Sequence, residues 1–178
     1  MAMWPRLSRD FGRLREVKGR GMLASLIDAF LFDSGFQALV AHRMAHTLRG
    51  WGVPILPAAC RRWAIAASAV DILPAAEIGG GCILAHGVGT VIGGTTVIGE
   101  DCTILHGVTF GEARFSETAC PRLGDRVTVG AGATLLGGIR VGDDANIGAA
   151  AVVLSDVAAG STAVGNPARV LEAHLEHE

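Results

Sequence analysis

Residues 78–110 read IGGGCILAHGVGTVIGGTTVIGEDCTILHGVTF, and residues 123–153 read LGDRVTVGAGATLLGGIRVGDDANIGAAAVV. In both, a large apolar residue returns every six positions: Ile92, Ile98, Ile104 and Phe110, then Leu123, Val129, Leu135, Val141, Ile147 and Val153, with Ile72, Ile78 and Leu84 in front. Most are followed by glycine, and the fourth residue after each is small or β-branched, as at Cys82, Thr96, Cys102, Val127, Ala133 and Ala145. This period is neither the ~3.6 of a helix nor the ~2 of an extended strand; it fits a short strand plus a turn, with one inward side chain per unit. A single hexad cannot bury its apolar residue, so successive units must stack into a solenoid with a continuous core. The glycine after the apolar residue is expected to relieve the bend by adopting positive φ.

Working outward, the chain has 178 residues, 50% of them apolar and 18% charged, with a formal net charge of −2. That suits one domain with an appendage. It argues against two large domains, a disordered polyelectrolyte or a nucleic-acid binder. Residues 1–70 carry ten Lys/Arg against four Asp/Glu and all three Trp; residues 71–178 carry five Arg against 13 Asp/Glu and 19 of the 25 Gly. Apolar residues recur at helical spacing in ASLIDAFLFDSGFQALVAHRMAHTLRGW (24–51), ended by Gly50, Gly52 and Pro54, and again in AACRRWAIAASAV (58–70). Residues 1–70 are therefore expected to be helical and to cap the open end of the solenoid. The solenoid is expected over 71–169 with a loop at 111–122, followed by a tail at 170–178 with room for a short closing helix.

Cys60, Cys82, Cys102 and Cys120 have no CxxC spacing, so neither a zinc ribbon nor a disulfide scaffold is expected, and a reducing, cytoplasmic setting fits. The apolar stretch near the N-terminus is interrupted by Asp28 and lacks a small-residue cleavage site, unlike a signal peptide. The uncharged run 78–99 contains eight glycines and belongs to the repeat rather than to a membrane helix. The basic run Arg6, Arg9, Arg13, Arg15, Lys18 and Arg20 reads first as a solvated face, one that would also suit peripheral contact with an anionic inner membrane leaflet.

The stretches GFQALVAHRMAH (35–46), 71–112, 129–154 and VGNPARV (164–170) resemble the hexapeptide-repeat acyltransferases over about four fifths of the chain. Within that family they are similar to serine acetyltransferases and to their colanic-acid and exopolysaccharide O-acetyltransferase relatives. The resemblance implies a mainly β fold, a left-handed parallel β-helix of triangular section preceded by the helical segment. It also implies acetyl-CoA as donor and a homotrimer with sites between subunits.

The chemistry is expected where the six-residue period breaks. Eight residues rather than six separate Leu84 from Ile92, around His86, and thirteen separate Phe110 from Leu123. His86 and His106 occupy the same slot three hexads apart, which stacks them at about the 4.8 Å inter-strand spacing. The resemblance makes His86 the general base, with His106 assisting or orienting. Imidazole, with an unperturbed pKa of ~6.5, can take the alcohol proton as the oxygen attacks a thioester and return it to the leaving thiolate. By the same resemblance, Gly111, Ala131, Gly132, Ala149 and Arg169 hold acetyl-CoA, and Ala85, Cys120 and Arg122 line the acceptor pocket.

Against the serine enzymes, Ala85 stands where an Asp precedes the base, and Ala119 and Cys120 stand where an Arg-His pair precedes proline. A further Asp of theirs aligns with Ala24, with Asp28 and Asp33 nearby. An amino acid's charges need charged partners. ACP (119–121) and ILHGVTFG (104–111) look like the capsule-type enzymes, so the acceptor is expected to be a sugar hydroxyl of an exopolysaccharide or capsule precursor. The alternatives are a serine O-acetyltransferase of cysteine biosynthesis, a metalloenzyme like the γ-type carbonic anhydrases, and a noncatalytic trimeric scaffold. No metal site is expected; the His42/His46 pair reads as packing.

Overall fold

The computed structural model describes residues 3–19, 21–114, 116 and 118–171. Four helices come first: α1 (Met3–Lys18), α2 (Met22–Leu31), α3 (Ser34–Gly50) and α4 (Leu56–Ser68). Asp33 starts α3 as an N-cap, its side chain accepting from the Phe36 N–H at 2.8 Å. A proline in the first turn of α4 costs no intrahelical bond there.

The strands then follow in coils. The first holds β1 (Asp71–Ile72), β2 (Glu77–Ile78) and β3 (Ile83–Ala85); the second β4 (Val91–Ile92), β5 (Val97–Ile98) and β6 (Thr103–Leu105). The third holds β7 (Thr109–Gly111), β8 (Arg122–Leu123) and β9 (Thr128–Val129); the fourth β10 (Thr134–Leu136), β11 (Arg140–Val141) and β12 (Asn146–Ile147). After β13 (Val152–Val153), β14 (Thr162–Gly165) and β15 (Ala168–Leu171) form an antiparallel hairpin.

Three parallel faces result, ordered β1-β4-β7-β10-β13, β2-β5-β8-β11 and β3-β6-β9-β12-β14, the last extended by β15. The register stacks like on like: Leu84 over Ile104, Val129, Ile147 and Ala163 on one face. On the first face, Ile92, Phe110 and Leu135 are fully buried and stack the same way. Each such side chain removed from water contributes about 1.5–3 kcal/mol before the entropy of ordering is counted.

Two expectations change here. The glycines after the apolar residues do not take positive φ; that falls on the third residue after the apolar one, at Gly81, Asp101, Arg126, Gly132, Asp144 and Ala150. What the first glycine supplies is close approach between coils. A Cβ at Gly99 would lie 2.2 Å from the Gly124 carbonyl oxygen, and one at Gly130 2.5 Å from the Ala149 nitrogen. In the tail, Val170 and Leu171 are strand rather than helix, because they complete the hairpin with Ala163 and Thr162. Residues 172–178, where the closing helix was expected, lie outside the described residues.

Part of the basic run turns onto the protein. Arg9 pairs with Glu100 at 2.6 Å and Asp101 at 2.8 Å. Arg13 donates to the carbonyls of Gly81 and Cys102 and to the Thr103 hydroxyl. From α3, Arg43 donates to the carbonyls of Ile78 and Gly79 while pairing with Asp10 of α1 at 3.1 Å, and Asp10 also accepts from the Cys82 N–H. Helix cations therefore satisfy the carbonyls of Ile78, Gly79 and Gly81 at the solenoid's first edge. Arg20 lies outside the described residues. Among the described residues, no single helix is long and apolar enough to cross a membrane.

Candidate active site

His86 follows β3 in the widened corner. The inserted residues turn sharply, with φ of +64° at His86, +37° at Gly87 and +77° at Gly89. Left-handed backbone is uncommon at a residue carrying a Cβ, although His tolerates it better than most. The Val88 N–H closes the turn onto the His86 carbonyl, and the Ser34 hydroxyl donates to that same oxygen at 3.4 Å. A Cβ at Gly87 would lie 3.3 Å from the Gly35 Cα, so the start of α3 sits directly against the turn that presents His86.

One coil on, Leu84 pairs with Ile104 and Ala85 with Leu105, which places His106 next to His86. Their ring centroids are 6.5 Å apart with planes at 72°. Both residues are exposed, outside the apolar core. The same edge continues through backbone bonds: Gly107 N–H to Val88 O, Gly132 N–H to His106 O, and Ala150 N–H to Ala131 O, each 2.8–2.9 Å. His86, His106, Ala131 with Gly132, and Ala149 thus form one column along the solenoid.

The remaining candidates lie elsewhere. Gly111 ends β7 on an adjoining face, opposite Leu136. Arg169 is exposed in the terminal hairpin, opposite Val164. Cys120 is buried within the coil, its N–H bonded to the Thr95 hydroxyl and its sulfur packed where a Gly93 side chain would be. Arg122 is exposed at the start of β8, on the face that does not carry the column. Within one chain, then, Cys120 and Arg122 do not join Ala85 in a pocket. Tight corner packing draws the loop inward: Thr95 also donates to the Thr118 carbonyl, and Ala119 lies against Gly138.

The cleft that does reach His86 and Ala85 has a volume of about 360 Å³ and lies between the first coil and the helices. Its walls are largely apolar, including Val17, Phe32 and Ile83, and its charged groups are Lys18 and Asp33. Lys18 bridges Asp28 at 2.5 Å and Asp33 at 2.6 Å. Burial pulls the Lys18 pKa down, but the hydrogen bonds and charges of the two carboxylates outweigh it, and the net shift is upward. Sequence reasoning missed this pair as a unit. Lys18 belongs to the basic run and Asp33 is only a neighbour of the aligned Ala24, so the one available signal was Asp33's place as a helix cap.

Burial, reinforced by the charges of Arg43, His46 and Arg6, holds the His42 pKa down at about 3. Its ring centroid lies 5.8 Å from that of His46, the planes tilted by 47°, and His46 contacts the Pro74 carbonyl oxygen at 3.0 Å. Among the described residues, no three His, Cys, Asp or Glu side chains gather to hold a metal ion.

No family model matches the chain. It is 47% identical over 145 residues to the serine acetyltransferase of Helicobacter pylori strain 26695, covering 81% of this chain and 85% of that protein. It is 46% identical over 148 residues to the chloroplastic serine acetyltransferase 1 of Arabidopsis thaliana, covering 83% of this chain. The chain spans about half the length of this and other curated relatives that it matches. Soybean serine acetyltransferase complexed with serine superposes with a TM-score of 0.87 at 41% identity, over 95% of this chain and 69% of that one. A serine acetyltransferase in complex with CoA superposes with a TM-score of 0.84 at 35% identity, over the same shares. These relatives do not support the expected nearness to the colanic-acid and exopolysaccharide branch. With its hexapeptide solenoid, the histidine corner and these likenesses together, the chain belongs to the serine acetyltransferase family of hexapeptide-repeat proteins.

Proposed function

We propose that the protein is a serine O-acetyltransferase, moving the acetyl group of acetyl-CoA to the hydroxyl of L-serine and releasing CoA. The observation that carries this reading is the 47% identity spanning 85% of a serine acetyltransferase. The same likeness overturns the expectation of a sugar acceptor. That expectation rested on the missing charges at Ala85, Ala119 and Cys120 and left Asp28 and Asp33 unplaced, whereas folding brings Lys18 and Asp33 into the cleft from the helices.

In this reading the His86 imidazole removes the hydroxyl proton as the serine oxygen attacks the thioester carbonyl. The tetrahedral intermediate collapses, the carbon–sulfur bond breaks, and the imidazolium returns its proton to the thiolate. N–H groups of the glycine-rich corner would meet the developing oxyanion. His106, one coil away, positions the first ring. Acetyl-CoA lies along the column past Ala131, Gly132 and Ala149, with Gly111 and Arg169 beyond it. Because the column is open in a single chain, a homotrimer that walls it between subunits is part of the proposal, with a mass about three times 18.3 kDa.

The test is CoA release with L-serine as acceptor, in wild type and in His86→Ala. Loss of general-base help lowers turnover by roughly 10²–10⁴-fold with the assembly mass unchanged, since His86 lies outside the core. Near-wild-type turnover in the variant rejects His86 as the base, and no serine-dependent release by wild type rejects the acceptor.

A further inference from the structure

Helix α2 is built inside out. Its two polar side chains turn inward: Ser25 is buried, and Asp28 reaches Lys18 at 2.5 Å. Its large apolar ones turn outward, with Leu23, Leu26, Ile27, Phe30 and Leu31 37–72% exposed. Leu23, Ile27 and Leu31 stand in one row of the helix and Leu26 and Phe30 in the next, so the face is continuous. The rest of the helical cap shares this bias. Among the described residues, 15 of the 21 exposed large apolar side chains belong to residues 3–68, and they include all three tryptophans. Apolar surface gathered in this way marks an interaction site.

Charge decides what covers it. Residues 1–70 carry ten Lys/Arg against four Asp/Glu, a net of +6, while residues 71–178 carry a net of −8. Of the four acids, Asp10 is buried against Arg43, and Asp28 and Asp33 hold Lys18, which leaves Glu16 as the exposed one. Outward cations remain: Arg49 and Arg62 are exposed, and Arg15 lies 3.8 Å from the Met22 sulfur at the start of α2. Two caps packed face to face would set +6 against +6. A protein interface also asks for about one hydrogen bond per 100–200 Å², and the outward side chains of α2 offer none. The boundary between acyl chains and anionic headgroups accepts apolar side chains, flanking arginines and exposed tryptophans together. Although α2 and α3 are jointly long and apolar enough to cross a bilayer, they are bent by 75° and α3 is held in the core, so the cap would lie on the membrane rather than through it. We propose that the outward face of α2 seats the protein on an anionic phospholipid surface, with the acidic solenoid turned away toward water. The contact belongs to α2 rather than to the basic run of α1, part of which is engaged with the solenoid.

The test is flotation of the full chain with two kinds of vesicle, phosphatidylglycerol and phosphatidylcholine in equal parts, and phosphatidylcholine alone. Wild type should bind the anionic vesicles at least ~10-fold more strongly than the neutral ones, and less strongly as salt is raised. Leu23→Glu/Ile27→Glu puts two negative charges on the face and should weaken binding at least ~10-fold. Tm should stay within ~2 °C of wild type, because both side chains are exposed. If the double variant melts early, Leu31→Glu on the same row carries the same test. No binding by wild type, equal binding to both vesicles, or undiminished binding by a folded variant overturns the proposal. So does a lower assembly mass of the variant without lipid, which would make this face a contact between copies of the chain.

Discussion

Gly35→Ala tests whether the close seating of α3 on β3 sets the geometry of the base. A Cβ at Gly35 would lie 1.9 Å from the Leu84 carbonyl oxygen and 2.9 Å from the Leu84 carbonyl carbon and Cβ. Non-bonded heavy atoms settle at ~3.5 Å, so helix and strand must separate by roughly 1.5 Å. The obstacle is backbone, so no rotamer change relieves it. Overpacking of this kind costs about 2–3 kcal/mol, which for a chain of this size lowers Tm by roughly 4–12 °C. The larger effect is on turnover. Leu84 lies two residues before His86, Gly35 lies against Gly87, and Ser34 holds the His86 carbonyl. A misplacement of ~1 Å is enough for a 10²-fold loss. Thermal melting followed by CoA release with L-serine reads both effects. The control is Gly12→Ala in α1, where a Cβ meets nothing within 4 Å, and where alanine's helix propensity adds up to ~1 kcal/mol of stability. A Gly35→Ala protein with wild-type Tm and turnover within twofold would refute the argument.

Two further predictions concern stability. The unfolded chain takes up a proton at His42 near pH 6.5, whereas burial keeps the folded His42 neutral down to about pH 3. Below pH 6.5 the unfolded state therefore binds more protons, and stability falls with falling pH by up to ~1.4 kcal/mol per unit. Urea unfolding of His42→Phe should show a shallower decline between pH 6.5 and 4.5, and an unchanged slope counts against this account. Asp10→Ala leaves the Arg43 guanidinium, 4% exposed, without its counter-ion, at a cost of about 3–5 kcal/mol. A loss below ~1 kcal/mol in the same assay would show that the two backbone carbonyls suffice for Arg43.

The solenoid and the histidine column were legible because both depend on counting. A six-residue period puts Leu84 over Ile104, and the same arithmetic puts His86 over His106. The role of the hexad glycines was not legible, since it depends on how closely the next coil approaches, a distance with no local sequence signal. Gly35 escaped notice for the same reason. The charged pair in the cleft joins Lys18 at the end of α1 to Asp33 at the start of α3. Neither residue belongs to the repeat, and only packing of the helices brings them to His86. The basic run looked like a surface feature because its acceptors, the Gly81 and Cys102 carbonyls for Arg13 and the Glu100 and Asp101 carboxylates for Arg9, come from distant turns of the solenoid, which composition cannot reveal.

The contacts of Arg13 and Arg43 with backbone carbonyls of the solenoid also bear on how the chain avoids polymerising. A stack of parallel coils has no intrinsic stopping point: the bare rung at one end is a template for another molecule's rung. The helices are synthesised first, yet the groups that seat them, from Ile78 to Thr103, are complete only with the second coil. Until then the nascent solenoid is open at that end, and afterwards the arginines occupy the acceptors that a second solenoid would need. Substitutions that loosen these two side chains are therefore expected to appear first as end-to-end fibres or insoluble protein, before any defect in chemistry is measurable.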